Sequence, residues 1–301
     1  MARSSGVDGH QLRTTITEFN AAIIDAASAE ALDPSDFHSG ATPIWCPGCG
    51  DYGVLSALEH ALAINGRPPH EVVLVSGIGC SSRLPVYTSC YGFHGVHGRA
   101  LPFAAGVKLA RPDLEVIAVG GDGDGYSIGG NHFIHACRRN LDMLYLVMDN
   151  RVYGMTKGQP SPTTEADWDS DIAPGGLGLR PFDPLALAIA GGANFVARGF
   201  SGRPQELKDL IVEGLRWPGF AFIDVLSPCM AFRSEEFGWK ERVHPVARTI
   251  EDDRAAAHAA VLAEDGYSLG VLFKDHRPSL PARYVAQSSL SEIEQQFAVC
   301  R

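Results

Sequence analysis

Apolar residues along this chain fall into two kinds of run. Residues 72–75, 115–119, 144–148, 195–198 and 220–226 are short, nearly unbroken apolar stretches. Runs of that length read as strands buried on both faces. Between them, residues 54–64, 101–110, 128–139, 183–193 and 204–215 carry apolar positions at helical spacing. The last begins on Pro204, a residue suited to a first helical turn, and 101–110 stops at Arg111-Pro112-Asp113. Strand and helix alternate, which predicts an α/β fold: a mostly parallel sheet with helices on both faces, closed by 220–226. Residues 11–31 show weaker helical spacing, ended by Asp33-Pro34-Ser35, so 1–42 reads as an N-terminal arm. The main domain is expected over 43–230. After it, 231–301 carries an Ala-rich helix near 250–264 and an apolar segment at 267–273. That C-terminal extension is too broken for an independent domain and is expected to pack on the same domain or on a partner subunit.

Composition narrows the function. A chain of 301 residues with 45% hydrophobic content can bury a large core. Its net charge of −10 argues against a general nucleic-acid binder. No apolar run approaches a membrane span, and residues 1–18 hold no continuous apolar segment of a secretory leader. Seven cysteines, an odd number, fit a reducing cytoplasmic setting, where grouped cysteines signal metal or redox chemistry.

The chemistry concentrates at the ends of two predicted strands. After 115–119 comes Gly120-Gly121-Asp122-Gly123-Asp124-Gly125, and after 144–148 comes Asp149-Asn150. Open α/β sheets bind ligands at the carboxyl ends of parallel strands. Glycines let phosphate approach the backbone, and a helix N-terminus offers free amides to an anion. Asp122 and Asn150 are hard oxygen ligands of the kind Mg²⁺ shares with phosphates. Asn150 follows Asp122 by 28 residues, about one strand–helix–strand crossover. The Gly/Pro-punctuated stretch from Arg151 to Thr164 then reads as a functional loop at the mouth of the site.

Four cysteines occupy ligand-like places. Cys46-Pro47-Gly48-Cys49 makes a tight knuckle, Cys80 sits on the turn after 72–75, and Cys229 on the turn after 220–226. Four thiolates can hold Zn²⁺ or an iron–sulfur cluster. One close pair with two lone turn cysteines favours a cluster built into a larger catalytic domain, because zinc ribbons pair two knuckles. A thioredoxin-like redox pair is the other use of Cys-x-x-Cys. Cys90, Cys137 and Cys300 read as structural. In the Gly/His-rich run Tyr91–Ala100, His94 and His97 are either pocket-lining hydrogen-bonders, metal ligands or surface histidines. His132 and His135 lie one helical turn apart without the Glu of a His-Glu-x-x-His zinc site, which leaves a packing or pocket role.

In order, these motifs resemble one family. Cys46-Pro47-Gly48-Cys49-Gly50, Gly77-Ile78-Gly79-Cys80-Ser81, His97-Gly98-Arg99-Ala100, Gly121-Asp122-Gly123-Asp124, Arg138-Arg139-Asn140, the run Asp149-Asn150-Arg151-Val152-Tyr153-Gly154-Met155-Thr156-Lys157-Gly158-Gln159 and Ser227-Pro228-Cys229 resemble the beta subunit of 2-oxoacid:ferredoxin oxidoreductases, most of all the 2-oxoglutarate type. The resemblance covers about residues 43–230. It implies a thiamine-diphosphate-binding (PP-type) domain and a cytoplasmic enzyme. Asp122, Asn150 and the Val152 carbonyl would bind Mg²⁺. Ile78, Gly79, Cys80, Ser81, His97, Gly123, Asp124, Gly154 and Met155 would touch the cofactor. Cys46, Cys49, Cys80 and Cys229 would ligate one [4Fe–4S] cluster.

The family reaction is the reversible oxidative decarboxylation of a 2-oxoacid with coenzyme A, giving acyl-CoA, CO₂ and two reduced ferredoxins. The family's activating Glu lies on the pyrimidine-binding domain of the alpha subunit. This chain is therefore expected to be active only with that partner, as an (αβ)₂ heterotetramer. Arg83, three residues past Cys80, is the candidate for a substrate carboxylate, since guanidinium binds carboxylate bidentately; a structural ion pair is its other reading. Three other readings compete. A pyruvate or branched-chain 2-oxoacid enzyme would share these motifs. A non-redox thiamine decarboxylase leaves the four cysteines unused. A zinc-stabilised scaffold keeps the fold without chemistry. A dinucleotide-binding dehydrogenase lacks its Gly-x-Gly-x-x-Gly turn here.

Overall fold

Four strands of the central sheet are buried along their whole length and a fifth at all but its end residues, which is why their sequences show unbroken apolar runs rather than alternation. The structure is a computed structural model that describes residues 31–281. The strands are β1 (Val72–Ser76), β2 (Tyr91–His94), β3 (Glu115–Gly121), β4 (Met143–Asp149), β5 (Val152–Tyr153), β6 (Gln159–Pro160), β7 (Phe195–Phe200), β8 (Phe220–Leu226), β9 (His244–Pro245), β10 (Ile250–Glu251) and β11 (Ser268–Lys274). The main sheet has the order β10-β11-β7-β8-β4-β3-β1-β2, with β9 also on β11, and β5 and β6 form a separate hairpin. Pairing is parallel from β2 through β7, and β11 joins β7 antiparallel.

Helices cover both faces. Helices α1 (Asp51–Asn65) and α5 (Pro204–Arg216) pack together, and Gly214 of α5 sits over Leu144, Ile223 and Phe195. On the other face α2 (Ala100–Ala110), α3 (Gly130–Arg139), α4 (Pro184–Gly191) and α6 (Arg254–Ala263) bury Leu101, Phe133, Ile189 and Val261 against Val75, Tyr145 and Phe222. The rings of Phe133 and Phe222 pack at a tilt of 56° with centroids 4.8 Å apart, and the Tyr126 ring lies 5.5 Å from that of Phe133. This aromatic group lies directly under the Gly-Asp-Gly turn. Truncating a buried Phe of this kind to Ala costs about 3–5 kcal/mol.

Four places differ from the pattern read along the chain. Residues 91–94 form the edge strand β2 with all four side chains exposed, so no buried face left a periodic signal. Residues 220–226 do not close the sheet: β8 runs between β4 and β7, and β11 from the C-terminal extension lies beyond them. The helix expected over 128–139 is preceded by a π-helical turn at Gly123–Ile128 and starts at Gly130. The described unit begins at Asp33, where the side chain caps a short 3-10 helix that buries Phe37. The helical spacing of 11–31 and Cys300 fall essentially outside the described residues. No helix among the described residues is long and apolar enough to cross a membrane.

Candidate cofactor and thiol site

The carboxyl ends of β1, β3 and β4 open into one cavity of about 320 Å³. It is lined by all twelve residues assigned from the sequence to cofactor and Mg²⁺: Ile78, Gly79, Cys80, Ser81, His97, Asp122, Gly123, Asp124, Asn150, Val152, Gly154 and Met155. Gly121, Tyr153 and Thr156, which sequence reasoning did not single out, complete the wall. Tyr153 leans on the loop so closely that a Cβ at Gly123 would meet its ring at 2.2 Å, and its hydroxyl donates to the Gly123 carbonyl at 3.2 Å. That contact is what Gly123 is for.

Asp124 ties three walls of the cavity together. Its buried Oδ1 accepts from the Ile78 amide at 2.9 Å, the Gly98 amide at 2.7 Å and His97 Nδ1 at 2.8 Å. A carboxylate only accepts, so Nδ1 of His97 carries the hydrogen of that bond. Gly77 has no side chain because a Cβ there would lie 2.0 Å from Asp124 Oδ2. Beneath the loop, Tyr126 donates to Asp224 at 2.7 Å, and Asp224 faces Arg198.

Asp122, Asn150 and Val152 offer a carboxylate, a carboxamide oxygen and a backbone carbonyl, the donor set of a hard divalent cation. Burial, and then the neighbouring Asp149, push the Asp122 carboxyl up to about 8. A cation beside it would offset both causes. The turn between the ligands is tight: Arg151 has φ +50°, its amide donates to Asp149 at 3.0 Å, and the Val152 amide donates to Asn150 Oδ1 at 3.2 Å. Val152 O accepts from the Gly154 amide at 3.0 Å, which leaves its second lone pair. The residues present thus fit Mg²⁺ with a diphosphate.

The four ligand-like cysteines come from three chain segments joined by hydrogen bonds. Trp45 Nε1 donates to the Cys80 carbonyl at 2.7 Å, the Gly50 amide to the Pro228 carbonyl at 3.1 Å, and Ser227 Oγ to Asp51 at 3.0 Å. Cys49 lies within electrostatic reach of Cys229 and Cys80, and Cys80 within reach of Cys229 and Cys46. Burial raises the thiols of Cys49 and Cys229, and takes Cys80 up to about 11. All four are free thiols. Among the described residues no three His, Cys, Asp or Glu side chains gather tightly enough to hold a metal ion. Cys80 lines the cofactor cavity, and a Cβ on Gly154 of that cavity would lie 3.5 Å from Cys229 Sγ.

Other sequence candidates lie outside the cavity. Arg83 is on the 3-10 helix Ser81–Tyr87, half-buried, with its charge in reach of the Cys80 thiol, and does not line the wall. His94 is held by Ser76 and the Ser82 carbonyl. His132 and His135 are half-buried on α3, and Cys90 and Cys137 are buried.

Fold and cavity define the class: this is a thiamine-diphosphate-binding domain, and residues 77–225 match the family model described as "Thiamine pyrophosphate enzyme, C-terminal TPP binding domain". The chain is similar to the 2-oxoacid:ferredoxin oxidoreductase 2 subunit beta of Aeropyrum pernix, 41% identical over 254 residues, which are 79% of this chain and 82% of that one. It is 45% identical over 189 residues to the 2-oxoglutarate synthase subunit KorB of Methanocaldococcus jannaschii, covering 63% of this chain and 70% of that one. A solved 2-oxoglutarate:ferredoxin oxidoreductase from Magnetococcus marinus, with 2-oxoglutarate, coenzyme A and succinyl-CoA bound, superposes with a TM-score of 0.81 at 36% identity, covering 90% of this chain and 92% of that one. The chain belongs to the beta subunits of the 2-oxoacid:ferredoxin oxidoreductases. It is a thiamine-diphosphate-dependent oxidoreductase subunit.

Proposed function

We propose that the chain works with an alpha subunit, as an (αβ)₂ enzyme of the cytoplasm, in the reversible conversion of 2-oxoglutarate, coenzyme A and two oxidised ferredoxins to succinyl-CoA, CO₂ and two reduced ferredoxins. The observation that carries the redox half is Cys80: it lines the cofactor cavity and lies near Cys46, Cys49 and Cys229, so a cluster held by these thiols would stand at the cavity wall and could accept electrons there. Thiamine diphosphate, when bound, supplies the carbon nucleophile and the electron sink for decarboxylation, and a [4Fe–4S] cluster takes electrons one at a time. The chain's own part is to hold and shield them. Asp122, Asn150 and the Val152 carbonyl bind Mg²⁺, and the glycine turns admit the diphosphate. Asp124 orients His97 and the Ile78 amide on the cavity wall. Cys46, Cys49, Cys80 and Cys229 ligate the cluster. Among the described residues, the carboxylates that line the cavity are Asp122 and Asp124, which already have tasks. This supports the need for the alpha subunit's Glu.

Similarity to the Magnetococcus enzyme and to 2-oxoglutarate synthase subunits supports 2-oxoglutarate as substrate. Anaerobic co-purification with the alpha subunit, followed by viologen or ferredoxin reduction with coenzyme A and a panel of 2-oxoacids, tests the reading. Reduction with 2-oxoglutarate, weak with pyruvate, is expected. Preference for pyruvate or a branched-chain 2-oxoacid would overturn the substrate. No reduction with any 2-oxoacid, in protein holding iron, sulfide and thiamine diphosphate, would overturn the reaction.

A further inference from the structure

The ends of β3 and β4 bring two buried carboxylates together, Asp122 and Asp149, at 1% and 4% exposure. Between them stands one hydroxyl from a distant loop. Thr163 Oγ1 lies 2.8 Å from Asp122 Oδ2 and 2.8 Å from Asp149 Oδ1. A hydroxyl has a single hydrogen to donate, so the two carboxyl groups share it, with Thr163 standing between them. Thr163 is itself buried and, being β-branched, is stiff about its first side-chain torsion. It does not line the cofactor cavity, whereas Asp122 does.

The loop that carries Thr163 is laced to the same turn. The Ser161 amide donates to Thr164 Oγ1 at 2.7 Å, and that hydroxyl donates to the Arg151 carbonyl at 2.6 Å. Arg151 sits between Asn150 and Val152, and its guanidinium pairs with Glu165 and stacks over Trp239 at 4.9 Å and Tyr267 at 5.5 Å. Residues 161–165 therefore form a strap that bonds Asp122 directly and reaches the Asn150–Val152 turn through Arg151, without entering the cavity.

We propose that Thr163 is a positioning residue for the cation site. By engaging Oδ2 it sets the rotamer of Asp122 and the face its carboxyl presents to the cavity, and it keeps Asp149 from displacing that carboxyl. The inference rests on the reading of Asp122, Asn150 and Val152 as Mg²⁺ ligands. Removing a hydrogen bond to a metal ligand of this kind lowers metal affinity about 10–100-fold.

The test uses the co-purified αβ complex, stripped of cofactor by anaerobic dialysis against chelator. Thiamine diphosphate binding is followed by calorimetry at graded Mg²⁺, for wild type, Thr163→Val and Thr163→Ser, with the melting temperature of the cofactor-free complex measured alongside. Thr163→Val is expected to raise the apparent Kd for Mg²⁺ about 10-fold or more, and Thr163→Ser to stay near wild type. If Thr163→Val does not fold, Thr163→Ala carries the same expectation. A folded Val or Ala variant with wild-type Mg²⁺ affinity would overturn the proposal, as would a loss of melting temperature with no change in that affinity. A wild-type complex that binds no thiamine diphosphate at any Mg²⁺ concentration would instead overturn the cofactor reading beneath it.

Discussion

Removing the Asp124 carboxylate should empty the cofactor cavity without touching a proposed ligand of cation or cluster. In Asp124→Ala three donors lose their acceptor: the amides of Ile78 and Gly98 and Nδ1 of His97. Each unpaired buried donor costs about 1–3 kcal/mol, but His97 is 40% exposed at its side chain and regains water. Two stranded amides therefore destabilise the domain by about 3 kcal/mol, a drop of roughly 6–12 °C in Tm for a domain of this size. The larger effect falls on binding. The Gly77–Ser81 turn and the His97–Gly98 turn are held to the Gly-Asp-Gly loop by this one oxygen, so both walls lose their place. Asp124→Asn keeps a carbonyl acceptor, yet its amide would take the place of Oδ2, which has no partner in the buried site. It should fall between wild type and Ala. Thermal melting with and without Mg²⁺ and thiamine diphosphate reads both effects: the Ala variant should melt lower and show no ligand-induced rise. An Ala variant with wild-type thiamine diphosphate affinity would refute the keystone role of Asp124.

Three further outcomes are expected. Cys229→Ser in the αβ complex should remove iron, sulfide and visible colour while thiamine diphosphate still binds; full iron content in that variant would exclude Cys229 as a ligand. Arg83 lies off the cavity wall, so Arg83→Met should change the KM for 2-oxoglutarate and for pyruvate alike in the viologen assay; a far larger rise for 2-oxoglutarate would put Arg83 at the substrate carboxylate. Burial and the neighbouring Asp149 hold the Asp224 carboxyl up at about 7. A raised carboxyl stabilises the fold below its unfolded value of 3.8, and that stability is lost as pH rises through about 7. Asp224→Asn, which keeps an acceptor for Tyr126, should therefore gain on wild type in chemical denaturation between pH 5 and 8, by on the order of a few kcal/mol. A constant difference across that range would show that Asp224 does not titrate there.

The sheet and its chemistry were legible for different reasons. Strands buried on both faces carry apolar runs that nothing else in the chain imitates, so β1, β3, β4, β7 and β8 stood out. Asp122 and Asn150 were legible because glycine and hard-oxygen residues at strand ends have few other uses. What stayed hidden depends on contacts between distant residues. Edge strand β2 buries no side chain, and β8 is interior because it runs between β4 and β7, with β11 from the C-terminal extension added beyond β7. Thr163 sits in a polar loop whose composition says only that it is a loop; its role appears when β3 and β4 bring Asp122 and Asp149 to either side of its hydroxyl. Tyr153 lies within the Asp149–Gln159 motif, but only the packing of its ring on Gly123 shows why it is aromatic. Arg83 has its charge near Cys80, three residues away in sequence, yet is not among the residues that line the cavity, which spacing alone does not reveal.

The central claim is that electrons released in the cavity pass through the Cys80 wall to a cluster held by this chain. It is tested most directly by adding 2-oxoglutarate anaerobically to the cofactor-loaded αβ complex, without ferredoxin, and following visible absorbance together with release of labelled CO₂. The account predicts bleaching and a reduced-cluster EPR signal that rise in step with CO₂. Release of CO₂ with no bleaching would make the protein a non-redox decarboxylase subunit and contradict the account.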